Sequence, residues 1–387
     1  MIKALRGMKD IIEDKRFLKI YDTAREVAES YGYGYIETPI LEETGLFKRS
    51  VGESSDIVNK EMYEFKDRGG NDVCLRPEGT AGVVRSFIEH KFDRVQTPKR
   101  FWYFGPMFRY ERPQKGRLRE FHQFGIESFG ESSVYEDVLI IAVAADIFKK
   151  LNIDFTLKIN SLGCEKCMPE YKNKLVSFLE KNKDKLCEDC QRRINQNPIR
   201  TLDCKNSSCQ TILKNAPKIT DNLCENCLSD FEKLKEGLNA LKIPFEIDKH
   251  LVRGLDYYTK TTFEFISNKI GAQSAICGGG RYDRLVEMLG GKPTPGVGFA
   301  IGIERIMDLI YINSERNGIY MGALIQEALP FILKKANELR REEKVFAEVK
   351  IKSLKAHLKA ADKGNYKKAL IVGEDELKSG KFFEKEL

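Results

Sequence analysis

The chain has 387 residues, with 65 Lys and Arg against 58 Asp and Glu for a formal charge of +7. It is 42% hydrophobic and 32% charged, with a mean hydropathy of −0.41, which excludes a disordered chain and predicts two or three domains. No apolar run approaches the roughly 18 residues of a membrane span, and MIKALRGMKD lacks a signal peptide's apolar stretch, so a cytoplasmic location is expected.

In chain order, residues 11–31 predict an amphipathic helix capped by Asp10, with Phe17, Ile20, Ala24, Val27 and Tyr31 on one stripe and Gly32 ending it. YGYIETPI (33–40) predicts an edge strand, because Pro39 cannot donate to a ladder. EMYEFKD (61–67) and DVCL (72–75) predict a hairpin, and residues 79–90 a helix. Aromatic and β-branched density from Lys99 to Gly130 predicts strands around a polar loop, RPQKGRLR. A helix over 134–150 and a strand in DFTLKIN follow. Residues 161–240 are Lys- and Cys-rich with helical spacing, as expected of an insertion. HLVRGLDYY and KTTFEFI predict strands, and GVGFAIGIERIMDLIYI a strand running into a helix. Beyond a linker at Asn317–Gly318, helix and strand alternate through a small α/β module. Strands joined mostly by short turns, with helices outside, predict an antiparallel α+β domain over residues 1–315. There is neither a Walker loop nor a GxGxxG after a strand, so arginines would have to bind any nucleotide.

Four segments carry candidate chemistry. In LRPEGTAG (75–82), Glu78 and Thr80 precede a helix whose free amides can bind a ligand or simply be capped. In FRYERPQKGRLREFHQFGIESFG (108–130), Arg109 and Glu111 share a side, as do Arg119, Phe121, Gln123, Gly125 and Glu127. Gly125 leaves a floor there on which a small ligand can lie. The loop carries Gln114 among arginines, fit for a triphosphate or a nucleic-acid end, or for a solvated basic hairpin. In HLVRGLDYYTKTTFEF (250–265), Arg253 needs an anionic partner, either Asp256 or a ligand, beside Tyr257 and Tyr258. In GVGFAIGIERI, Arg305 sits among isoleucines, to pair with a carboxylate or stack on a base. His122, on the opposite parity from Gln123, reads as packing.

Eight of the ten cysteines lie between Cys164 and Cys227: Cys164 and Cys167, Cys187 and Cys190, Cys204 and Cys209, Cys224 and Cys227. Three of these pairs are CxxC, a pattern that points to tetrahedral zinc in one site or two. The other reading is a small core of reduced cysteines. Cys74 and Cys277 read as core residues.

The four segments, in this order and spacing, together resemble the histidyl-tRNA synthetases, a class II aminoacyl-tRNA synthetase family. LVRGLDYYT carries the histidine-specific part of the likeness, and the likeness spans essentially the whole chain. It implies ATP-dependent activation of L-histidine and its transfer to tRNA(His), with Mg²⁺ on the phosphates. It implies catalytic roles for Arg253 and Arg109, ATP contacts from Arg109, Glu111 and Arg305, and histidine contacts from Glu78, Thr80, Gln123, Glu127, Arg253, Tyr257 and Tyr258. Gln114 and Arg119 would meet the tRNA acceptor end. SLKAHLKAADK and ALIVGEDEL resemble the family's anticodon-binding domain, here residues 318–387, with GKFFEKEL reading as an unfinished strand. YIETPILEE (35–43) matches a homodimer interface. Arg284 stands where the family's GGGRYDGL motif has glycine. Zinc, if bound, would be structural, since this chemistry requires none. Two rival readings are a histidine-binding regulatory subunit for an ATP phosphoribosyltransferase and a zinc-dependent nucleic-acid-binding module.

Overall fold

Asp14 opens the first helix, α1 (Lys15–Ser30), its carboxylate accepting from the Arg16 amide at 2.9 Å. An anion on the free amides of a first turn stabilises it. The expected cap at Asp10 is thus corrected to Asp14. Gly32 ends the helix at φ 83°. Ile20, Ala24 and Val27 are buried, and Phe17 and Tyr31 pack against the same core. The computed structural model describes residues 2–52, 55, 57–94, 98–271, 274–313 and 315–387.

Next come β1 (Gly34–Tyr35), β2 (Leu41–Glu43), α2 (Thr44–Val51), β3 (Tyr63–Lys66), β4 (Asp72–Leu75), α3 (Thr80–Glu89), β5 (Lys99–Phe108), β6 (Glu120–Phe129), α4 (Val134–Lys150) and β7 (Thr156–Ser161). The Cys-rich stretch holds α5 (Met168–Lys181), α6 (Glu188–Gln196), α7 (Ser207–Leu213) and α8 (Glu225–Ala240). It is followed by β8 (Glu246–Ile247), β9 (Thr259–Ile266), β10 (Ala275–Arg281), α9 (Leu285–Met288), β11 (Gly296–Gly302) and α10 (Ile303–Met307).

Three expected elements differ. The strand at 33–40 shrinks to Gly34–Tyr35, because the Thr38 carbonyl accepts from Arg76 Nη1 at 2.7 Å instead of from a neighbouring strand. HLVRGLDYY is not a strand. Side chains take its carbonyls: Asn160 Nδ2 donates to Leu251 O at 2.9 Å and Arg200 Nη1 to Arg253 O at 3.3 Å. The helix expected through residue 312 stops at Met307.

The main sheet has the order β1-β5-β6-β11-β10-β9-β7-β8. Its six central strands are antiparallel, and β1 and β8 pair parallel at the two edges. This is the α+β class expected. Strand alternation sorts its two faces. Phe124, Ile126, Phe263, Phe265, Val297, Phe299 and Ile301 enter one core with α1, α4 and α8. The opposite face of β11 carries Ala300 and Gly302, which line open space, and Gly298, over which the Glu127 carboxylate lies. Helix α4 is buried nearly all round, as a central helix must be. Its first-turn acids are paired, Glu136 with Arg100 at 2.6 Å and Asp137 with Arg281 at 2.9 Å. A smaller antiparallel sheet, β2-β4-β3, contains the expected hairpin.

The chain divides into compact units at residues 1–310 and 311–387. The second contains β12 (Ile319–Ala323), α11 (Leu329–Leu339), β13 (Val345–Glu348), α12 (Leu354–Lys363), β14 (Lys368–Val372), α13 (Glu374–Ser379) and β15 (Phe383–Glu386). Its sheet order is β13-β12-β14-β15, with only β15 antiparallel.

Phe148 of α4 is fully buried, and its ring meets Phe155 and Phe265 at centroid distances of 5.8 and 5.3 Å. Phe148→Ala is expected to destabilise the protein by about 3–5 kcal/mol through the cavity it leaves. Thermal unfolding of the purified variant checks this, and an unchanged midpoint would contradict it.

Candidate active site

On the open face of the main sheet lies a solvent-connected cleft of about 1000 Å³. Glu78 and Thr80 reach it from the start of α3, Arg109 and Glu111 from the end of β5, and Gln123 from β6. Arg253, Tyr257 and Tyr258 come from the loop before β9, and Arg305 from α10. Residues from 78 to 305 thus converge, because neighbouring strands of this sheet are remote in sequence.

The guanidiniums differ in their partners. Arg253 Nη1 donates to Glu264 Oε1 at 2.8 Å, and the guanidinium stands 5.9 Å from the Tyr258 ring centre. Asp256, the partner considered from sequence, accepts instead from Asn197 Nδ2 at 2.9 Å. Burial works against the Arg253 charge, but Glu264, together with Tyr258 and Cys277, holds the group above its ordinary value. Arg109 Nε donates to Pro77 O at 2.8 Å, and Arg305 donates to Gly116 O and Ala275 O at 3.0 and 2.8 Å. Among the described residues neither has a carboxylate within ion-pair distance. Burial, and then the like charges of Arg109 and Arg117, pull the Arg305 pKa down. Two half-buried cations whose hydrogen bonds go to carbonyls make a ready seat for a polyanion.

Glu78 caps α3, accepting from the Thr80 and Ala81 amides at 2.6 and 3.0 Å while lining the cleft. Capping and site lining are therefore the same arrangement. Burial raises its pKa against those two donors. Glu127 is fully buried and does not line the cleft. Its Oε1 accepts from Thr80 Oγ1 at 2.7 Å, and its Oε2 from the Tyr282 hydroxyl. Burial pushes the Glu127 carboxyl up to about 8, although Tyr282 and Thr80 oppose it. Tyr258 is pushed up to about 12 by burial. Among the described residues, Gln123 Oε1, Arg253 Nε and the Tyr103 and Tyr257 hydroxyls are buried without a hydrogen-bond partner, a cost that a polar ligand would relieve.

Two glycines are required by close approach. A Cβ at Gly278 would collide with the Arg253 guanidinium. A Cβ at Gly125 would collide with the Tyr103 ring, so the expected floor for a ligand is instead the seat of that ring. Sequence reasoning missed Tyr103, Tyr282, Glu264 and Glu304. Glu264 had a signal, as the lone acid of an otherwise uncharged stretch from Thr261 to Ile266. His122 packs edge-on to Phe17 and also donates its amide to Glu304 at 2.9 Å, so it ties β6 to α10.

Gln114 lies apart from this site, in a broader cleft of about 1660 Å³ with Gly7, Lys9 and Lys115. Arg119 stacks 3.8 Å from the centre of the Tyr110 ring and does not line the first cleft. Arg284 pairs with Glu165, which sits between Cys164 and Cys167. The residue that departs from the family motif therefore bonds to the Cys-rich stretch.

The eight cysteines form two groups, Cys164, Cys167, Cys224 and Cys227, and Cys187, Cys190, Cys204 and Cys209. Within each group all four Sγ atoms lie within 4.8 Å of one another. Three recorded S···S distances, Cys164–Cys167, Cys164–Cys224 and Cys187–Cys204, are 3.8 Å. Zn–S bonds of about 2.3 Å at tetrahedral angles put sulfurs about 3.8 Å apart. The Cys224 and Cys187 amides donate to Cys167 and Cys209 Sγ at 3.2 Å.

The family model described as histidyl-tRNA synthetase matches residues 12–306. A histidine–tRNA ligase of Sulfurovum sp. (strain NBC37-1) is 61% identical over 390 residues, covering 100% of this chain and 97% of the relative. One of Sulfurimonas denitrificans is 59% identical with the same coverage. Among solved structures, apo S. aureus histidyl-tRNA synthetase superposes with a TM-score of 0.81 at 34% identity, over 100% of this chain and 97% of that one.

The Glu127 carboxyl has its ordinary value near 4.5 when unfolded and about 8 when folded. A raised acid binds its proton more tightly in the native state, so its contribution to stability falls as pH rises from about 5 to 8. Glu127→Gln removes that titration. Its thermal midpoint relative to the parent protein is expected to improve steadily across that interval, and a pH-independent difference would refute the shift.

Proposed function

The chain belongs to the histidyl-tRNA synthetase family, and from that premise we propose that Arg253 and Arg109 do the charge-stabilising work of its reaction. The protein is a ligase of translation that activates histidine with ATP and charges tRNA. The observation that carries the residue assignment is the meeting of Arg109, Arg253 and Arg305 in one cleft.

An oxygen of the histidine carboxylate attacks the α-phosphorus of ATP, and the bond to the bridging oxygen of pyrophosphate breaks. The nucleophile is already ionised, so no strong base is needed. Rate then depends on holding the atoms in line and neutralising the phosphoryl oxygens. Arg109 holds the α-phosphate and the substrate carboxylate, Arg253 spans the reacting centre, and Arg305 takes the γ-phosphate end with Glu111 beside the adenine. Glu264 supports this by keeping Arg253 charged and aimed. The family uses Mg²⁺ with ATP; the ion, with water supplying many of its ligands, would add further neutralisation of the phosphates.

Glu78, Thr80 and Gln123 hold the histidine ammonium, and Tyr257 closes the pocket beside them. The imidazole offers one donor and one acceptor. Its N–H competes with the Thr80 hydroxyl for Glu127 Oε1, and its other nitrogen takes the Tyr258 hydroxyl. A side chain without those nitrogens leaves buried polar groups unpaired, which is the basis of rejection. A 3′-terminal ribose hydroxyl of tRNA(His) then attacks the acyl carbon and AMP leaves. Gln114 and Arg119 belong to the surface for the acceptor end, and residues 318–387, within the compact unit that begins at Tyr311, to anticodon binding. Residues 1–315 make up the catalytic domain. A homodimer through residues 35–43 and a cytoplasmic location complete the reading; no described helix is long and apolar enough to cross a membrane.

Both four-cysteine groups are structural zinc sites in this reading, supported by the 3.8 Å sulfur spacings and the amide donors to sulfur. Zinc supplies folding free energy there and takes no part in adenylation.

Histidine-dependent exchange of labelled pyrophosphate into ATP tests the assignment. Arg253→Ala is expected to lose at least about 10²-fold in kcat, with the fold intact by circular dichroism. Exchange at the parent rate would remove Arg253 from the mechanism, and histidine binding without exchange in the parent protein would favour the regulatory reading. Metal analysis is expected to give two zinc ions per chain. A zinc-free protein with an unchanged thermal midpoint would leave the cysteines as core.

A further inference from the structure

Arg253 sits on a loop without strand pairing, so something else must fix its main chain. Part of that grip comes from inside the second cysteine group. Cys190 and Cys204 bracket a segment with a short 3-10 helix at Pro198–Asp203. Just before it, Asn197 Nδ2 donates to Asp256 Oδ1 at 2.9 Å. Within it, Arg200 is buried to 7% exposure, and its Nη1 donates to the carbonyl of Arg253 itself at 3.3 Å. The same nitrogen would stand 3.4 Å from a Cβ on Gly254. One segment therefore touches residues 253, 254 and 256, without lending a cleft-lining side chain of its own.

We propose that Asn197 and Arg200 are positioning residues for Arg253, and that metal bound by Cys187, Cys190, Cys204 and Cys209 holds them in place. The metal half rests on the zinc reading above; the positioning half rests on geometry alone. The segment also accepts a bond from Arg193 Nη1 at the Arg200 carbonyl, at 3.3 Å. Its local core is small, and Cys190, Cys204 and Cys209 are themselves buried members of it. A core of that size depends on a staple. Tetrahedral ligation closes the loop between Cys190 and Cys204 and fixes the donors at its edge. A displacement of about 1 Å in a charge-stabilising group costs about 10²-fold in rate, so a brace that never meets substrate governs turnover.

The test compares Arg200→Ala, Arg200→Lys, Asn197→Ala and Cys204→Ser with the parent in histidine-dependent pyrophosphate exchange, with zinc per chain measured on each. Arg200→Ala is expected to lose about tenfold or more in kcat, with KM for ATP within about twofold and zinc retained. Arg200→Lys, which keeps a cationic donor to the carbonyl, is expected to recover most of the loss. Asn197→Ala should show a smaller loss of the same kind and decides the matter if Arg200→Ala does not fold. Cys204→Ser should lose one zinc and fall in kcat like Arg200→Ala. Full kcat in both Asn197→Ala and a folded Arg200→Ala, or an effect confined to KM, overturns the positioning role. Full kcat in a Cys204→Ser protein that has lost one zinc overturns the metal's part while leaving the zinc reading intact. A parent protein without zinc removes that reading, and one without exchange removes the assignment of function; the two failures are separately visible.

Discussion

A guanidinium can serve a phosphoryl transfer only if it is kept charged and aimed in a partly dry cleft, and here one ion pair does both. Glu264 is the carboxylate that holds Arg253. The pair spans two elements, the loop after β8 and strand β9, so the aim of the arginine is set by the register of the sheet. Gly278 on the adjacent strand β10 removes the side chain that would otherwise occupy the guanidinium's place. Arg109 and Arg305 are treated in the opposite way. Carbonyls hold them, which orients the charge without cancelling it. One arginine is thus tuned by an anion, and two are left electrostatically open toward the space between them.

The amino-acid sequence made the scaffold legible wherever a periodic pattern was long. Helix α4 and strands β5 and β6 emerged from hydrophobic spacing, because each must bury one surface over many residues. The segment 250–258 misled for a physical reason. Its aromatic and β-branched content is that of a strand, but Gly254 and carbonyls taken by Asn160 and Arg200 give it a different set of partners. Parity placed Gln123 and Glu127 on one side of β6, yet it could not foresee that the Tyr103 ring would fill the space above Gly125. The true partner of Arg253 was equally hidden, since Asp256 is nearer in sequence than Glu264.

Pairing among the cysteines was beyond spacing altogether. Cys164 and Cys167 meet Cys224 and Cys227 only because α5 and α8 bring the two ends of the Cys-rich stretch together. The first group ties those ends beside strand β7, and the second closes a loop within. Arg284 fits this arrangement, since its pairing with Glu165 gives a side chain a purpose where the family motif has none. An exposed pair of this kind adds little stability.

The order of strands in the main sheet has a consequence for synthesis. Strand β11 occupies the slot between β6 and β10, yet it is the last strand of that sheet to leave the ribosome. At about 5–20 residues per second, roughly 10–30 s separate the emergence of Phe129 from that of Gly296. Throughout that delay β6 presents an unpaired edge on the nascent chain, and β10, complete only at Arg281, joins it for about the last 1–3 s. No fragment ending before β11 can assemble the cleft, and premature termination there yields a product exposed to misassociation and to quality-control proteases.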